Sequence, residues 1–157
     1  MRRMLSRTVP VMALACMAAL GADNTLGTWK VNIAKSTYTP GPIPLKSYMM
    51  VREAAPGGVK VTITGERTDG TPINATYTAK FDGSATPVSG SGTLYDTMAI
   101  KQVDANTITY EAKNGKTKYH ATGRITVSSD GKAMTTDVKG TDPDGKAMTI
   151  ALVYEKQ

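Results

Sequence analysis

Apolar and polar residues alternate with a period of two along several stretches of the chain, at 58–67, 72–80, 107–113 and 116–127. In a β-strand this period sends alternate side chains to opposite faces, so each stretch predicts a strand with one buried face and one face in water. Less regular apolar runs predict further strands at 26–33, 46–53, 84–89, 93–102, 132–140 and 146–156.

Short turns rich in Gly, Asp and Asn separate these strands, as at Asp82-Gly83 and Asn114-Gly115. No stretch between them has the length or the period of a crossover helix. Strands joined by tight turns pair antiparallel with their neighbours, and closing a long meander removes its unpaired edges. The sequence therefore predicts an all-β fold, an antiparallel up-and-down meander of about 8–10 strands closed into a β-barrel.

The predicted polar face is rich in Thr and Lys, and the chain has one Trp and one Phe. A barrel in an outer membrane would turn its apolar face outward and carry aromatic girdles at both rims. We therefore expect a soluble barrel with its apolar side chains inside.

The beginning of the chain has the pattern of a secretory signal peptide. Arginines at positions 2, 3 and 7 precede an apolar segment at 9–20, which is followed by small residues and is too short for a typical membrane-spanning helix. We expect residues 1–22 to be removed, leaving 23–157 as a single secreted or periplasmic domain with no transmembrane span. Cys16 ends a stretch that resembles a bacterial lipobox, so a lipoprotein attached through Cys16 is the alternative.

Loss of this segment would change the charge of the protein. The chain has 19 Lys and Arg and 13 Asp and Glu, and three of the arginines but none of the acids lie in the segment. The remainder would carry 16 basic and 13 acidic residues, a net charge of +3. Because its lysines are scattered singly, the sequence predicts no nucleic-acid binding.

The predicted apolar face is unusual because it contains Tyr and Met with several small residues and little Leu or Phe. Tyr and Met make adaptable walls with polar or polarizable groups, as an internal ligand cavity requires. A filled core of interdigitating large and small side chains is the other interpretation. The candidate wall residues are Tyr77, Met98, Tyr110, Tyr119, Met134, Met148 and Tyr154.

Two charged residues are candidate polar groups inside the barrel. Asp96 alternates in phase with Leu94 and Met98, and a carboxylate inside a barrel needs a partner or a raised pKa. Arg52 shares a face with Met50, but strand 46–53 is apolar on both faces, and a slip of one residue would turn Arg52 outward. An exposed Asp96 and a solvated Arg52 are the alternatives.

Two short motifs at the ends of the predicted barrel resemble a known family. Gly27-Thr28-Trp29-Lys30 resembles the opening strand of the calycin group, the lipocalins and fatty-acid-binding proteins, and Val153-Tyr154-Glu155-Lys156 resembles the closing strand of the fatty-acid-binding branch. The chain is most similar to small exported bacterial lipocalin-like domains that open with such a motif. The resemblance implies a lipocalin-like barrel with Trp29 packed at its closed end.

The chain departs from the fatty-acid-binding branch at two points. That branch has a helical lid after its first strand, whereas this chain has a proline-rich stretch at 34–45, either a flap over the barrel mouth or a connector on the outside. That branch also has an Arg two residues before the closing Tyr, which binds a ligand carboxylate. Leu152 stands there in this chain and only Tyr154 matches, so the resemblance implies a neutral or weakly polar, mostly apolar ligand.

The sequence predicts no metal site and no cofactor. The single His, His120, falls on the polar face, and there is no second His or Cys near it to form a transition-metal site. The acidic stretch 142–145 lacks the ligand spacing of a calcium loop and predicts a turn. No nucleophile, phosphate-binding or dinucleotide motif is present.

Three functions are compatible with these observations. The first is a carrier or binding protein that encloses a small, mostly apolar ligand, with Asp96 or Arg52 as its polar contact. The second is an envelope or extracellular interaction protein with a filled core and an unknown protein partner. The third is an acid–base enzyme that uses Asp96 as general base beside a Tyr donor.

Overall fold

The computed structural model describes residues 22–157. This part of the chain contains twelve β-strands and one short 3₁₀-helix, Ile33–Lys35, joined by turns and loops. The predicted signal peptide and Cys16 lie outside the described residues, apart from Ala22. The strands are β1 (Gly27–Val31), β2 (Thr37–Thr39), β3 (Leu45–Ala55), β4 (Gly58–Arg67), β5 (Pro72–Lys80), β6 (Asp82–Pro87), β7 (Ser89–Ser91), β8 (Thr97–Asp104), β9 (Thr107–Lys113), β10 (His120–Val127), β11 (Ala133–Thr141) and β12 (Ala147–Lys156).

All twelve strands belong to one antiparallel sheet. Eleven of them follow the order β6-β8-β9-β10-β11-β12-β1-β3-β4-β5-β7, and β2 pairs with β12 outside this order. The two strands at the ends of this order, β6 and β7, follow one another along the chain, so the sheet curls until it is nearly closed. The Thr86 hydroxyl of β6 donates to the Thr78 carbonyl of β5 at 2.9 Å across the remaining gap. The prediction of an all-β, up-and-down, lipocalin-like barrel is confirmed.

The proline-rich stretch contains a strand that the sequence did not predict. β2 pairs with the same edge of β12 as β1, beyond the stretch that β1 covers, and Tyr38 pairs there with Ile150. Pro40 follows directly and cannot donate a ladder hydrogen bond, which explains why this strand has only three residues. A second difference lies at the predicted strand 93–102, which begins only at Thr97 because the residues before it form a bend.

One end of the barrel, here called the closed end, is filled by a compact core. Trp29 is 0% exposed, and its indole Nε1 donates to the Thr25 carbonyl at 2.8 Å. The segment 22–26 continues across this end, where the Asn24 amide donates to the Ala105 carbonyl at 2.8 Å. The other fully buried side chains of this closed-end core are those of Val59, Val61, Ile108 and Met134.

The outer surface of the sheet carries the polar side chains that the alternation predicted. His120 is exposed and its Nε2 lies 3.3 Å from the Glu111 carboxylate. Among the described residues, no helix has the length and hydropathy needed to cross a membrane.

We expect replacement of Trp29 by Ala to lower the free energy of unfolding by about 3–5 kcal/mol, because it leaves a large cavity and an unpaired Thr25 carbonyl. Urea unfolding, monitored by far-ultraviolet circular dichroism, measures the free energy of unfolding. This signal reports the β-sheet and does not need the indole that the substitution removes. Val103→Ala is the control, because Val103 is 54% exposed and its truncation should change stability by less than about 0.5 kcal/mol. A loss below about 1 kcal/mol for Trp29→Ala would contradict a closed end built on this residue.

Candidate functional site

A cavity of about 140 Å³ lies inside the barrel, beside the closed-end core. Its wall is mostly apolar, with side chains such as Ile63, Met98 and Leu152. The chain has seven tyrosines, and every one of them lines this cavity: Tyr38, Tyr48, Tyr77, Tyr95, Tyr110, Tyr119 and Tyr154. Strand alternation turns Tyr48, Tyr77, Tyr110 and Tyr154 inward, so the pattern that builds the barrel also builds much of the cavity wall.

A glycine makes room for one of these tyrosines. Tyr110 on β9 pairs with Gly123 on β10, and both face the barrel interior. A Cβ atom at position 123 would overlap the Tyr110 Cζ atom. The Tyr110 ring therefore lies flat over Gly123, and a side chain at position 123 would push the ring toward the cavity.

The mouth of the cavity is formed by two connecting segments, 40–45 and 92–95. Ile43 and Pro44 from the proline-rich stretch line the cavity, which favours the flap interpretation of this stretch over a connector on the outside. Beside this stretch, Arg67, which pairs with Leu45, ties the end of β4 to the second segment. Its Nε and Nη2 atoms donate to the Gly92 carbonyl at 3.0 and 2.6 Å.

Six of the tyrosine hydroxyls in the cavity wall are held neutral by burial. Burial raises the pKa of Tyr119 to about 12 and raises the pKa of Tyr77, while the nearby Arg52 charge partly offsets the rise at Tyr77. Burial also raises the pKa of Tyr48, Tyr95, Tyr110 and Tyr154. A neutral hydroxyl can both donate and accept a hydrogen bond, so the wall can satisfy a polar substituent of either kind.

The rings also contact one another. Tyr48 meets Tyr154 edge to face with ring centroids 6.2 Å apart, and Tyr95 lies tilted toward Tyr119 at 6.3 Å. Such arrangements are the favoured geometries of aromatic pairs, and an aromatic ring in the cavity could extend them.

Arg52 points into the barrel. The sequence did not determine this direction, because both faces of its strand are apolar. Its side chain is 2% exposed and lines the cavity. Its Nε donates to the Thr25 hydroxyl at 3.0 Å, and Nη1 lies 3.8 Å from the Met50 sulfur. Its Nη2 has no hydrogen-bond partner among the described residues, and the same is true of the Thr136 hydroxyl, which lines the same cavity.

The expectation that Asp96 points into the barrel is wrong. Its carboxylate accepts hydrogen bonds from the Gly115 amide at 3.0 and 3.2 Å and from the Thr97 hydroxyl at 3.0 Å, so it stabilises the neighbouring turn. The physical reason is that residues before Thr97 bend, so the alternation that begins with β8 does not extend back to Asp96. Since no other acidic residue of the described chain lines the cavity, the acid–base pair of Asp96 and an interior Tyr does not form.

Most of the other sequence-predicted wall residues come together at the cavity. Tyr77, Met98, Tyr110, Tyr119 and Tyr154 line it together with Arg52. Met134 and Met148 are buried but lie outside the lining, Met134 within the closed-end core.

The sequence prediction missed several lining residues. Tyr48 shares the face of Arg52 and could have been found from that spacing, whereas Tyr38, Tyr95 and Arg67 lie in or beside connecting segments without a usable period. Thr136 alternates with the buried Met134 and Val138, but a threonine there carries no compositional signal.

A wider depression of about 790 Å³ lies on the strands from β8 to β12. Many of its side chains are charged and of both signs, among them Lys101, Arg124, Asp137 and Lys139. Small-molecule sites are mostly enclosed and apolar with few polar groups, which describes the internal cavity and not this depression. Across residues 22–157, no three His, Cys, Asp or Glu side chains are grouped so as to hold a metal ion.

The fold and the cavity together define an antiparallel up-and-down β-barrel with a tyrosine-lined interior. No known protein family and no curated protein matches the chain in sequence. Among solved structures, the chain is similar to a redesigned β-barrel, mFAP1, solved bound to DFHBI. The two are 19% identical, the match covers 82% of this chain and 94% of that chain, and the TM-score is 0.41.

The raised tyrosine pKa values predict how stability depends on pH. Unfolded tyrosines release their protons near pH 10, whereas the buried ones hold theirs to higher pH, Tyr119 to about 12. The contribution of these protonated tyrosines to the stability of the folded state is therefore complete below about pH 10 and is lost as the pH rises above it. We expect the urea midpoint to fall over this range, and the tyrosinate absorbance of the native protein to lag behind that of the urea-unfolded protein. If the absorbance titrations of the native and the urea-unfolded protein coincide while circular dichroism shows that the native protein is still folded, these hydroxyls are not buried.

Proposed function

We propose that this protein is an exported carrier or binding protein that holds a small, mostly apolar ligand in the cavity inside the barrel. The observation that carries this proposal is the placement of every tyrosine of the chain around one cavity. Seven tyrosines whose only task was to fill a core would bury seven hydroxyl groups at a cost that Leu or Phe avoids. Around a ligand, the same hydroxyls provide polar contacts within an apolar wall.

The volume of the cavity limits the size of the ligand. An engineered apolar cavity of about 150 Å³ in another protein binds benzene, so about 140 Å³ corresponds to a single aromatic ring or a short branched chain. Common ligand pockets have volumes of about 300–1,000 Å³, and a larger ligand would require the mouth segments to move apart. The proposed ligand is therefore small.

The exported location is supported by the sequence pattern of residues 1–22. We expect the protein recovered from the cell envelope or the medium to have lost this segment and to begin at or near Asp23. Intact-mass measurement and N-terminal sequencing check this. A mass that instead matches a lipid attached at Cys16, and that loses the lipid in Cys16→Ser, would establish the lipoprotein alternative.

Ligand binding is tested by filling the cavity with a larger side chain. Met98 lines the cavity, so Met98→Trp should weaken binding of an environment-sensitive apolar dye by about tenfold or more. Met49 faces outward on β3, between Tyr48 and Met50, and Met49→Trp is the matched control that should leave the dye affinity unchanged. Organic extraction and mass spectrometry of the purified protein would identify any ligand that it retains.

Two results would contradict the proposal. If the unchanged protein binds no apolar probe and yields no extractable compound, the barrel is a packed core, and an interaction with another protein becomes the better explanation. If Met49→Trp weakens dye binding as much as Met98→Trp, the dye binds to the outer surface and not to the cavity.

A further inference from the structure

The cavity contains a positive charge whose hydrogen-bonding capacity is not fully used. An arginine side chain stays protonated in proteins and has five N–H donors. Arg52 is 2% exposed, so its charge is largely shielded from bulk solvent, and no carboxylate of residues 22–157 forms an ion pair with it. A buried cation without a direct partner is costly and needs an explanation.

The remaining contacts of Arg52 fix the guanidinium in place without satisfying it. Its Nε is bound by the Thr25 hydroxyl, and that hydroxyl in turn donates to the Asp23 carboxylate. This chain of contacts holds one edge of the guanidinium at the closed end. Its Nη2 makes no hydrogen bond with the described residues, and Nη1 lies 3.8 Å from the weak sulfur acceptor of Met50. The neutral Tyr77 hydroxyl is close enough to the guanidinium for this contact to offset part of the rise in the pKa of Tyr77, but it carries no charge that could balance Arg52.

A second unsatisfied group lines the same cavity. Thr136 on β11 is 4% exposed and its hydroxyl has no hydrogen-bond partner among residues 22–157. The other arginine in the lining, Arg67, differs because it uses two of its nitrogen atoms on the Gly92 carbonyl. In the lining, the side-chain donor atoms that are fully buried and without a hydrogen-bond partner among the described residues are therefore Arg52 Nη2 and Thr136 Oγ1.

We propose that the ligand is a small monocarboxylate with a body the size of one aromatic ring, its carboxylate bound by Arg52 with the Thr136 hydroxyl as a second donor. This inference rests on the proposed function, since it names the chemical class of the ligand of the same cavity. A carboxylate provides acceptor oxygens that match the planar guanidinium and neutralises its charge. The tyrosine rings then surround the apolar body, which fits a cavity of about 140 Å³.

The probes for the test are benzoate, its neutral analogue benzyl alcohol, and acetate, which keeps the carboxylate without the ring. Isothermal titration calorimetry and ligand-observed NMR measure their affinities. We expect the unchanged protein to prefer benzoate over benzyl alcohol by about 10- to 100-fold, as a charge-assisted hydrogen bond implies, and to bind acetate more weakly than benzoate.

Three variants test whether Arg52 and Thr136 cause the preference for benzoate over benzyl alcohol. Arg52→Met should abolish the preference for benzoate while the affinity for benzyl alcohol stays within about threefold. Thr136→Val keeps the shape of the side chain and should weaken benzoate by about three- to tenfold. Arg124→Met removes the same charge from the exposed outer face and is the matched control, with no expected change in the preference.

Each outcome separates this inference from the proposed function. Binding of benzyl alcohol at least as tight as that of benzoate overturns the carboxylate proposal and leaves the apolar binding function standing. Acetate that binds as tightly as benzoate overturns the ring-sized body, and an equal loss in Arg124→Met overturns the assignment to Arg52. If neither ring compound nor an apolar dye binds, both proposals fail. If Arg52→Met does not fold, Thr136→Val and the preference of the unchanged protein still decide the question.

Discussion

The closed end of the barrel and one side of the cavity are joined through hydrogen bonds that converge on Thr25. Its carbonyl accepts from the Trp29 indole, and its hydroxyl accepts from Arg52 and donates to Asp23. Thr25 itself is fully buried, so these contacts form away from water, where an unmade hydrogen bond is expensive. The segment before β1 is therefore an integral part of the barrel, because it both covers the closed-end core and positions the only fully buried guanidinium among the described residues.

The interior divides into two parts of different composition. At the closed end Trp29, Val59, Val61, Ile108 and Met134 pack without exposure, as in an ordinary protein core. Toward the mouth the wall consists mostly of tyrosines with isoleucine and leucine, and a cavity remains between them. A ring with a fixed plane and a buried hydroxyl cannot collapse into free space as easily as an aliphatic side chain. The two interpretations of the interior drawn from the sequence, a filled core and a hollow one, thus each describe one part of the barrel.

Much of the fold could be predicted from the sequence because the information is local. Period-two alternation and Gly-containing turns predict nearly every strand and its inward face, and sequential antiparallel pairing then leaves little choice of topology. Features that depend on the rest of the fold could not be predicted in this way. β2 forms where β12 offers an open edge to it, and the three prolines that directly follow it in the sequence argue against a strand there. The bend before Thr97 breaks the phase on which the interior placement of Asp96 depended. For Arg52 both faces of the strand are apolar, so only the barrel determines which way the side chain turns.

Arg52 is difficult to explain by stability alone. Replacing buried charged groups with well-packed apolar residues of similar volume is often neutral or stabilising, so folding does not require a guanidinium at this position. Its Nε donates to the Thr25 hydroxyl, whereas Nη2 makes no hydrogen bond with the described residues. Asp23 balances the charge only through the intervening Thr25 hydroxyl, which leaves the Nη2 atom without an acceptor. The charge of Arg52 is expensive to bury, and its side chain is held in place with one donor unpaired beside the cavity. The best explanation is that the charge is needed when a ligand occupies the cavity.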